Sequence, residues 1–255
     1  MLDYECYEDN IVTDSEFKYY FIGLIAADGH LTREGNGISI ALKESDHDFL
    51  DMVRKNVTTK QLRYRKDTKS YGISFANPII KKELTKFIPR GEKSSCLVFP
   101  NINDKFTKHY IRGYYDGDGN VNLITRYRIT KSAGRRDYPG LRIRFLGNYE
   151  FLLAMANKFK ELNLVDFIRY PTQRHDCNIC YIEYTFKKAK AILEWMYSDC
   201  EYYLNRKRRV FNYIVNSDTS KLLEEYKSGK AKYNTRASSD SSFGEGIVSP
   251  IGNNG

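Results

Sequence analysis

The 255-residue chain has few cysteines and no long apolar run. Its five cysteines are odd in number and lack the spacing of a disulfide framework, which indicates a reducing, intracellular compartment. We expect the cytoplasm of a bacterial, phage-infected or archaeal cell, or an organelle matrix. No apolar stretch reaches the roughly 18 residues that a membrane-spanning helix needs, so no membrane partner is expected. Residues 1–15 are acidic and do not have the basic and apolar regions of a signal peptide.

What the chain has in excess is positive charge. Its formal net charge is +9 and its isoelectric point is about 9.1, which favours a polyanionic partner such as nucleic acid. The 21 tyrosines suit contacts with phosphates and sugars, although tyrosine is also a good strand and core residue. Charge alone is equally consistent with a basic surface that binds nothing. His175 with the pair Cys177 and Cys180 is a weak zinc signal, because no second pair of ligands follows at finger spacing.

Two short segments about 90 residues apart repeat one pattern. Residues 21–29 read FIGLIAADG and residues 111–119 read IRGYYDGDG. Each is mostly apolar, is long enough for a helix and ends in Asp-Gly. Small residues recur four positions apart, which allows a helix to pack backbone against backbone: Gly23 and Ala27 in the first segment, Gly113 and Gly117 in the second.

The repeated ends of these segments, Asp28 and Asp118, predict a metal site. A single Asp-Gly after a helix is usually only a helix stop. A carboxylate at a helix C-terminus, however, faces the negative end of the dipole, at a cost of roughly 0.3–1 kcal/mol. Two such carboxylates brought together also repel each other, so a compensating cation is expected. Carboxylate and backbone carbonyl oxygens are hard ligands that suit Mg²⁺ or Mn²⁺.

The rest of the chain predicts an internal duplication of an α+β unit. The order is helix, two strands, helix, two strands, helix (αββαββα), written twice, with residues 1–100 and 101–217 as the halves and 218–255 as a flexible tail rich in Ser and Gly. Helices are predicted over residues 17–27, 46–56, 79–87, 103–117, 150–162, 188–197 and 202–215. Strands are predicted over residues 37–42, 61–66, 71–75, 121–130, 140–146, 167–170 and 179–186.

Both repeated segments resemble the LAGLIDADG motif, and a chain that contains two of them is similar to a monomeric LAGLIDADG homing endonuclease. The resemblance covers residues 15–216. The final Asp-Gly is intact in both copies, whereas the earlier acidic position of the motif is Asp116 in the second copy and Ala26 in the first. The resemblance implies two antiparallel, saddle-like sheets joined by a central pair of motif helices.

The family resemblance also implies a chemistry. Asp28 and Asp118 would be the catalytic acids and metal ligands, assisted by the carbonyls of Ala27 and Gly117. Mg²⁺, replaceable by Mn²⁺, would activate a water for attack on the scissile phosphorus, while Ca²⁺ would support binding only. The cuts would leave 3′ overhangs in a long, asymmetric target of about 20 base pairs. Family members place basic side chains near the metal, for which Lys93, Lys207 and Lys43 are the candidates.

Positive charge in the predicted strands marks the surface expected to bind double-stranded DNA. Residues two apart lie on one face of a strand, so several arginines would share a face and could reach guanine edges in the major groove. The alternative is a polar sheet face turned to water. The basic run 206–209 is more consistent with phosphate contact. The candidate DNA-binding residues are Arg63, Arg65, Lys66, Arg126, Arg128, Arg142, Arg144, Gln173 and Arg174.

The resemblance therefore implies an intron-encoded, site-specific DNA endonuclease that acts as a monomer. Two alternatives keep the same fold: an RNA-binding maturase that assists intron splicing, and a DNA-binding regulator without catalysis. Survival of both acids favours the nuclease. Intein excision is not expected, because the chain has neither an N-terminal Cys or Ser nor a His-Asn ending.

Overall fold

The chain folds as two successive αββαββα units, as the computed structural model shows for residues 4–130, 134–173 and 179–216. A short helix precedes the first unit and a further helix follows the second. The predicted α+β class and the predicted duplication are confirmed. The predicted tail, residues 218–255, lies outside the described residues, as do Arg174, His175 and Cys177.

Eight α-helices are present in the described part of the chain. A 3-10 turn, Glu44–Asp46, leads directly into the third. The helices are α1 (Asp9–Val12), α2 (Glu16–Asp28), α3 (His47–Val57), α4 (Pro78–Leu84), α5 (Asp104–Asp118), α6 (Tyr149–Glu161), α7 (Phe186–Tyr197) and α8 (Asn205–Asn216).

The strands form two four-stranded antiparallel sheets, one in each unit. The first sheet has the order β1-β2-β4-β3 and the second the order β5-β6-β8-β7. The strands are β1 (Gly29–Leu31), β2 (Gly37–Lys43), β3 (Arg63–Arg65), β4 (Ser70–Ala76), β5 (Asn120–Thr130), β6 (Gly134–Gly147), β7 (Thr172–Gln173) and β8 (Cys180–Thr185).

Local signals in the sequence determine where the two central helices, α2 and α5, begin. Ser15 accepts a hydrogen bond from the Lys18 amide at 3.1 Å, and Asn103 accepts one from the Lys105 amide at 3.0 Å. Both are N-cap residues, which satisfy amides that have no partner within the helix. Most of α2 is buried on all sides, because it packs on its own sheet and on α5.

Each sheet turns one face to the core, as alternation in the sequence predicts. Ile38, Ile40 and Leu42 are buried in the first unit, and Leu141, Ile143 and Phe145 are buried in the second. The alternate residues of these strands therefore lie on the opposite face. No helix of the described residues has the length and apolar character that crossing a membrane requires.

Two predicted elements differ from the structure. The strand predicted over 167–170 is absent; Phe167 instead packs against Tyr184 and Lys188, and Arg169 Nε donates to the Glu183 carbonyl, so side chains rather than a ladder hold this segment. The helix predicted to include Phe87 ends at Leu84, after which the chain turns through bonds to residues three positions back.

Candidate metal and DNA site

The two motif helices touch through their backbones. A Cβ added at Gly23 would lie 2.1 Å from the carbonyl oxygen of Tyr110, and one added at Gly113 would lie 2.0 Å from that of Tyr20. These distances are far below any van der Waals contact, so only glycine fits at either position. The contact is reciprocal, which is what a pseudo-symmetric helix pair requires.

The same close approach continues to the ends of the helices. A Cβ at Gly117 would lie 2.4 Å from the Ala27 Cβ and 3.1 Å from Asp28 Oδ2. The Asp28 carboxylate therefore sits beside the residue that precedes Asp118. Asp28 reaches solvent and Asp118 is partly exposed, so the pair opens to the molecular surface.

The pKa values of both acids are raised. Desolvation and then the charge of Asp28 raise the pKa of Asp118 to about 6, against the opposing effect of Lys93 and Lys207. Desolvation also raises the pKa of Asp28, and the same two ammonium groups oppose it. A cation between the carboxylates would offset both effects.

Two lysines lie beneath the acids, one at each helix end. Lys93 Nζ donates to the carbonyl oxygens of Ile25 at 2.6 Å, Ala27 at 2.7 Å and Gly29. Desolvation lowers the pKa of Lys93 to about 8, although Asp118 and Asp28 favour its charged form. The ammonium group thus neutralises the negative end of the α2 dipole.

Lys207 repeats this arrangement on α5. Its Nζ donates to the carbonyls of Tyr115 and of Gly119, the latter at 2.7 Å, and lies 3.4 Å from that of Gly117. Burial lowers the pKa of Lys207 to about 7, helped by Arg206 and opposed by Asp116, Asp28 and Asp118. The sequence placed both lysines near the site but did not predict that they cap the helices.

These contacts change how the helix ends are stabilised. The sequence predicts that a metal ion compensates the negative charge at the two helix ends. In the structure, each helix already has an ammonium group at its last carbonyls. The predicted metal ligands, the carbonyls of Ala27 and Gly117, face Lys93 and Lys207 respectively. A metal ion bound by these two carbonyls would therefore share their oxygens with the ammonium groups of the lysines.

The glycines that end the motifs are needed for space. Gly29 and Gly119 have φ of −82° and −80°, which any residue can adopt. A Cβ at Gly29 would lie 2.7 Å from the Ile25 Cα, and one at Gly119 would lie 2.1 Å from the ring of Tyr115. A glycine that stops a helix usually has a left-handed conformation, with positive φ. Gly29 and Gly119 do not, so they are required for space and not for their backbone conformation.

The third candidate lysine, Lys43, lies elsewhere. It ends β2 opposite Ser70 and is exposed. Ile40 pairs with Gly29, so Lys43 is three residues, about 10 Å of strand, beyond the helix end. Its position is on the outer face of the first sheet.

That outer face brings the basic residues of the first unit together. In the antiparallel register, Lys43 and Arg65 both pair with Ser70, and Arg63 pairs with Gly72. Paired residues share a face, so these three side chains lie on the side opposite the core. Lys66 follows directly after β3 and is exposed.

The outer face of the second sheet is also basic. Arg142 pairs with Asn122 and Thr185, and Arg144 pairs with Asn120 and Glu183. Gln173 ends β7 and is exposed. The backbone of β5 pairs Arg126 with Tyr138 and Arg128 with Arg136, but the side chains of these residues lie outside the described part of the chain, as does all of Arg174.

At the other end of α2 from Asp28, an ion pair that the sequence did not predict joins the two units. Arg112, which has no exposed surface, donates to Glu16 Oε1 at 2.6 Å and to the carbonyls of Met196 and Tyr202 at 2.8 Å each. Desolvation lowers the pKa of His109 to about 4, so its neutral ring can accept from Arg112. An arginine inside a largely apolar motif was the only signal for this contact between the two units.

Asp116 forms a second buried link. Its carboxylate accepts from the hydroxyls of Tyr20 at 2.7 Å and Tyr197 at 2.5 Å, and from the Leu204 amide at 2.8 Å. It is 1% exposed, so it is a structural acid rather than a third metal ligand. The equivalent residue of the first copy is Ala26, which has no polar side chain, so α2 makes no matching set of hydrogen bonds there.

The basic run of α8 serves the interior more than the surface. Arg206 Nε donates to the two carboxylate oxygens of the buried Asp46 at 3.1 and 3.2 Å. Arg208 lies over the rings of Tyr197, Tyr203 and Phe211. The phosphate contact expected for these arginines would require them to leave existing partners.

The raised pKa of Asp118 leads to a prediction about stability. The folded protein binds this proton up to about pH 6, whereas an unfolded chain releases it near pH 4. Without divalent metal, the stability that protonated Asp118 provides is therefore lost as pH rises through 6. We expect Asp118→Asn to have a higher melting temperature than the wild type at pH 7.5 in EDTA and an equal one at pH 4. Calorimetry at both pH values checks this, with Asp48→Asn as the control.

The site fits a hard divalent cation but is not a complete metal cage. Among the described residues, no group of three or more His, Cys, Asp or Glu side chains could hold a metal ion. Asp28 and Asp118 supply two carboxylates, whose repulsion a cation would relieve. The remaining ligands would have to be carbonyls, waters or oxygens of a bound phosphate.

The sequence is similar to parts of two much longer curated proteins. No protein-family model matches the chain. Among curated proteins, it is 26% identical over 198 residues to the DNA-directed RNA polymerase subunit Rpo1C of Methanocaldococcus jannaschii, with 74% of this chain covered. It is 25% identical over 178 residues to a DNA polymerase of the same organism, with 62% covered. The chain spans only 22% and 10% of the lengths of these two proteins.

The solved structures that resemble it include LAGLIDADG homing endonucleases. The meganuclease I-CpaMI bound to uncleaved DNA has a TM-score of 0.57 at 13% identity, with 86% of this chain and 99% of that chain covered. The endonuclease I-LtrWI bound to target DNA has a TM-score of 0.54 at 13% identity, with 82% and 96% covered. At such identities the likeness establishes a shared fold, and it confirms the fold predicted from the two repeated segments.

Proposed function

We propose that this chain, which has the fold of the LAGLIDADG homing endonucleases, is a site-specific endonuclease that cuts both strands of DNA. One observation carries the proposal. Two partly desolvated carboxylates, Asp28 and Asp118, lie together at the ends of two helices in backbone contact, and each adjoining sheet presents a basic face.

Asp28 and Asp118 are the residues that would hold Mg²⁺, with Mn²⁺ as a substitute and Ca²⁺ supporting binding without cleavage. Mg²⁺ would supply Lewis-acid stabilisation of the charge that develops on the phosphate and the leaving oxygen. Both acids are in one chain, so we propose that the protein acts as a monomer.

The protein's own contribution is to hold this site rigid and electrostatically poised. Lys93 and Lys207 fix the helix ends through six carbonyl contacts. An ammonium group has three N–H donors, and each of these lysines directs its donors at three carbonyls. We therefore propose that both lysines act by fixing the helix ends and by placing positive charge beside the scissile phosphate.

The two outer sheet faces are the proposed DNA-binding surface. Arg63, Arg65 and Lys43 would follow one half of the target, and Arg142 and Arg144 the other. Because the two faces carry different side chains, we propose a long asymmetric target of about 20 base pairs, cut to leave 3′ overhangs.

Cleavage of a randomised plasmid library tests the proposal. Purified protein with Mg²⁺ should linearise a small subset of plasmids, and sequencing of the ends should give one asymmetric site with 3′ overhangs. Linearisation that is absent with both Mg²⁺ and Mn²⁺ would contradict a nuclease. Retention of RNA rather than DNA would point to the maturase alternative, and DNA retention without cutting would point to a regulator.

Charge removal on the first sheet face should weaken DNA binding in a salt-dependent way. If Arg63 contacts a phosphate, Arg63→Gln should reduce the slope of log affinity against log salt by about one. Lys55→Gln removes the same charge from α3, away from this face, and should leave the slope unchanged. Fluorescence anisotropy at 50–250 mM salt measures both, and equal slopes for the two variants would count against the sheet-face assignment.

A further inference from the structure

The basic face of the second sheet contains an acid among its arginines. Glu183 is on β8, directly opposite Arg144 on β6, with Arg142 two residues further along β6. All three side chains lie on the outer face, and their side chains are 25%, 36% and 27% exposed in that order. This is the face that the proposed function assigns to DNA.

One carboxylate oxygen lies close to both arginines and is hydrogen-bonded to Arg144. Arg144 Nε donates to Glu183 Oε2 at 2.5 Å, and Arg142 Nε lies 3.7 Å from the same oxygen. The guanidinium carbon of Arg144 is also 4.8 Å from the centre of the Tyr181 ring, so this group is held at its edge and at its face. Arg142 Nε is buried and has no hydrogen-bond partner within the described part of the chain.

Both contacts with Glu183 use Nε, the inner nitrogen of the guanidinium group. Within the described part of the chain, no terminal nitrogen of either arginine is hydrogen-bonded to Glu183. Terminal guanidinium nitrogens can make the paired contact to O6 and N7 of guanine, and that contact depends on a fixed orientation of the group. The hydrogen bond thus restrains Arg144 at the Nε side of its guanidinium group, and the carboxylate charge attracts Arg142 from the Nε side as well. The outer nitrogens are the ones that base recognition uses.

The first sheet has a different composition. Among the described strand residues, its outer face holds no acid: the register places there His30, Gly37, Ser39, Ala41, Lys43, Arg63, Arg65, Ser70, Gly72, Ser74 and Ala76. An acid that faces a polyanion lowers the attraction for any DNA, whatever its sequence. Glu183 therefore opposes general affinity while it orders two arginines.

We propose that Glu183 is a specificity-determining positioning residue for one half of the DNA target. It holds Arg142 and Arg144 in the orientation that reads guanine edges, and it reduces their attraction to phosphates of other sequences. The inference rests on the proposed function, since it assumes that this sheet face lies on DNA.

Selection of bound sites provides the test. The full-length wild type and Glu183→Gln are each incubated with a randomised double-stranded DNA library in Ca²⁺, and bound DNA is sequenced. We expect Glu183→Gln to lose about tenfold of its guanine preference at two or three adjacent positions in one half of the site. We also expect it to bind random DNA about two- to fivefold more tightly, with a salt dependence steeper by up to about one.

Two further variants separate orientation from charge. Glu150→Gln removes the same charge at the start of α6 and should change neither preference nor affinity. Glu183→Asp keeps the charge but shortens the side chain, so it should lose guanine preference without gaining affinity for random DNA. It also provides a second test if Glu183→Gln folds poorly.

The failures are distinguishable. If the wild type selects a site and both Glu183 variants select it with an unchanged base profile, Glu183 does not set specificity, although the proposed function stands. If the wild type enriches no sequence at all, the proposed site-specific function is itself wrong.

Discussion

Asp28→Asn is expected to lower the rate of DNA cleavage at least about a thousandfold while the protein still binds its target in Ca²⁺. A bound metal supplies several kcal/mol of transition-state stabilisation, and each 1.4 kcal/mol corresponds to a factor of ten in rate. The amide keeps the size of the side chain but removes the charge that would hold the cation. Asp118→Asn should have an effect of the same order, because the two acids adjoin each other. Single-turnover cleavage of the selected site measures both.

The matched control is Asp48→Asn, which makes the same chemical change in the first turn of α3. Its cleavage rate should stay within about twofold of the wild type. An Asp28→Asn protein that still cuts at a tenth of the wild-type rate would show that this acid does not hold the catalytic metal.

Gly113→Ala should destabilise the protein by about 3 kcal/mol or more. The added Cβ would meet the backbone oxygen of Tyr20 at 2.0 Å, and backbone cannot move aside as a flexible side chain can. Overpacking of a core typically costs 1–3 kcal/mol, and this is a severe case. Helix propensity alone would predict the opposite sign, since alanine is better than glycine by roughly 0.5–1 kcal/mol. For a chain of this size the expected fall in melting temperature is about 6–12 °C.

Chemical denaturation of the two variants Gly113→Ala and Gly23→Ala checks this result. Ala191→Gly, in α7, serves as the control for helix propensity and should cost no more than about 1 kcal/mol. A Gly113→Ala protein as stable as the wild type would mean that α2 and α5 are further apart than the structure places them. In the expected case, the added methyl group pushes the two helices apart and so separates Asp28 from Asp118. Both variants should therefore also cleave DNA more slowly than the wild type.

The parts of the fold that the sequence predicts are those encoded by local periodicity. Repeated small residues indicate a close helix pair, which the contacts of Gly23 and Gly113 bear out physically. Alternation in residues 37–42 and 140–146 identifies strands and their core faces, because a two-residue period has one structural meaning. Capping by Asn77 and Asn103 follows from the same local rules.

The sequence does not predict which distant residue a given charged side chain contacts, because many residues along the chain could serve equally well. Nothing local distinguishes Arg208, which packs on aromatic rings, from Arg144, which stands on the outer sheet face. Lys93 and Lys207 are equally plausible as surface charges until folding brings them to carbonyls more than 60 residues away. Glu16 and Arg112 form an ion pair across the two units, and although an arginine is unusual in an apolar motif, nothing near it identifies Glu16 as its partner.

The most direct measurement of the central arrangement is a crystal structure of the protein with its selected DNA target and Mn²⁺, read by anomalous scattering. We predict anomalous density for Mn²⁺ next to the scissile phosphates, with the ion coordinated by carboxylate oxygens of Asp28 and Asp118. Manganese bound elsewhere, or side chains of these two residues turned away from each other and from the DNA, would contradict it.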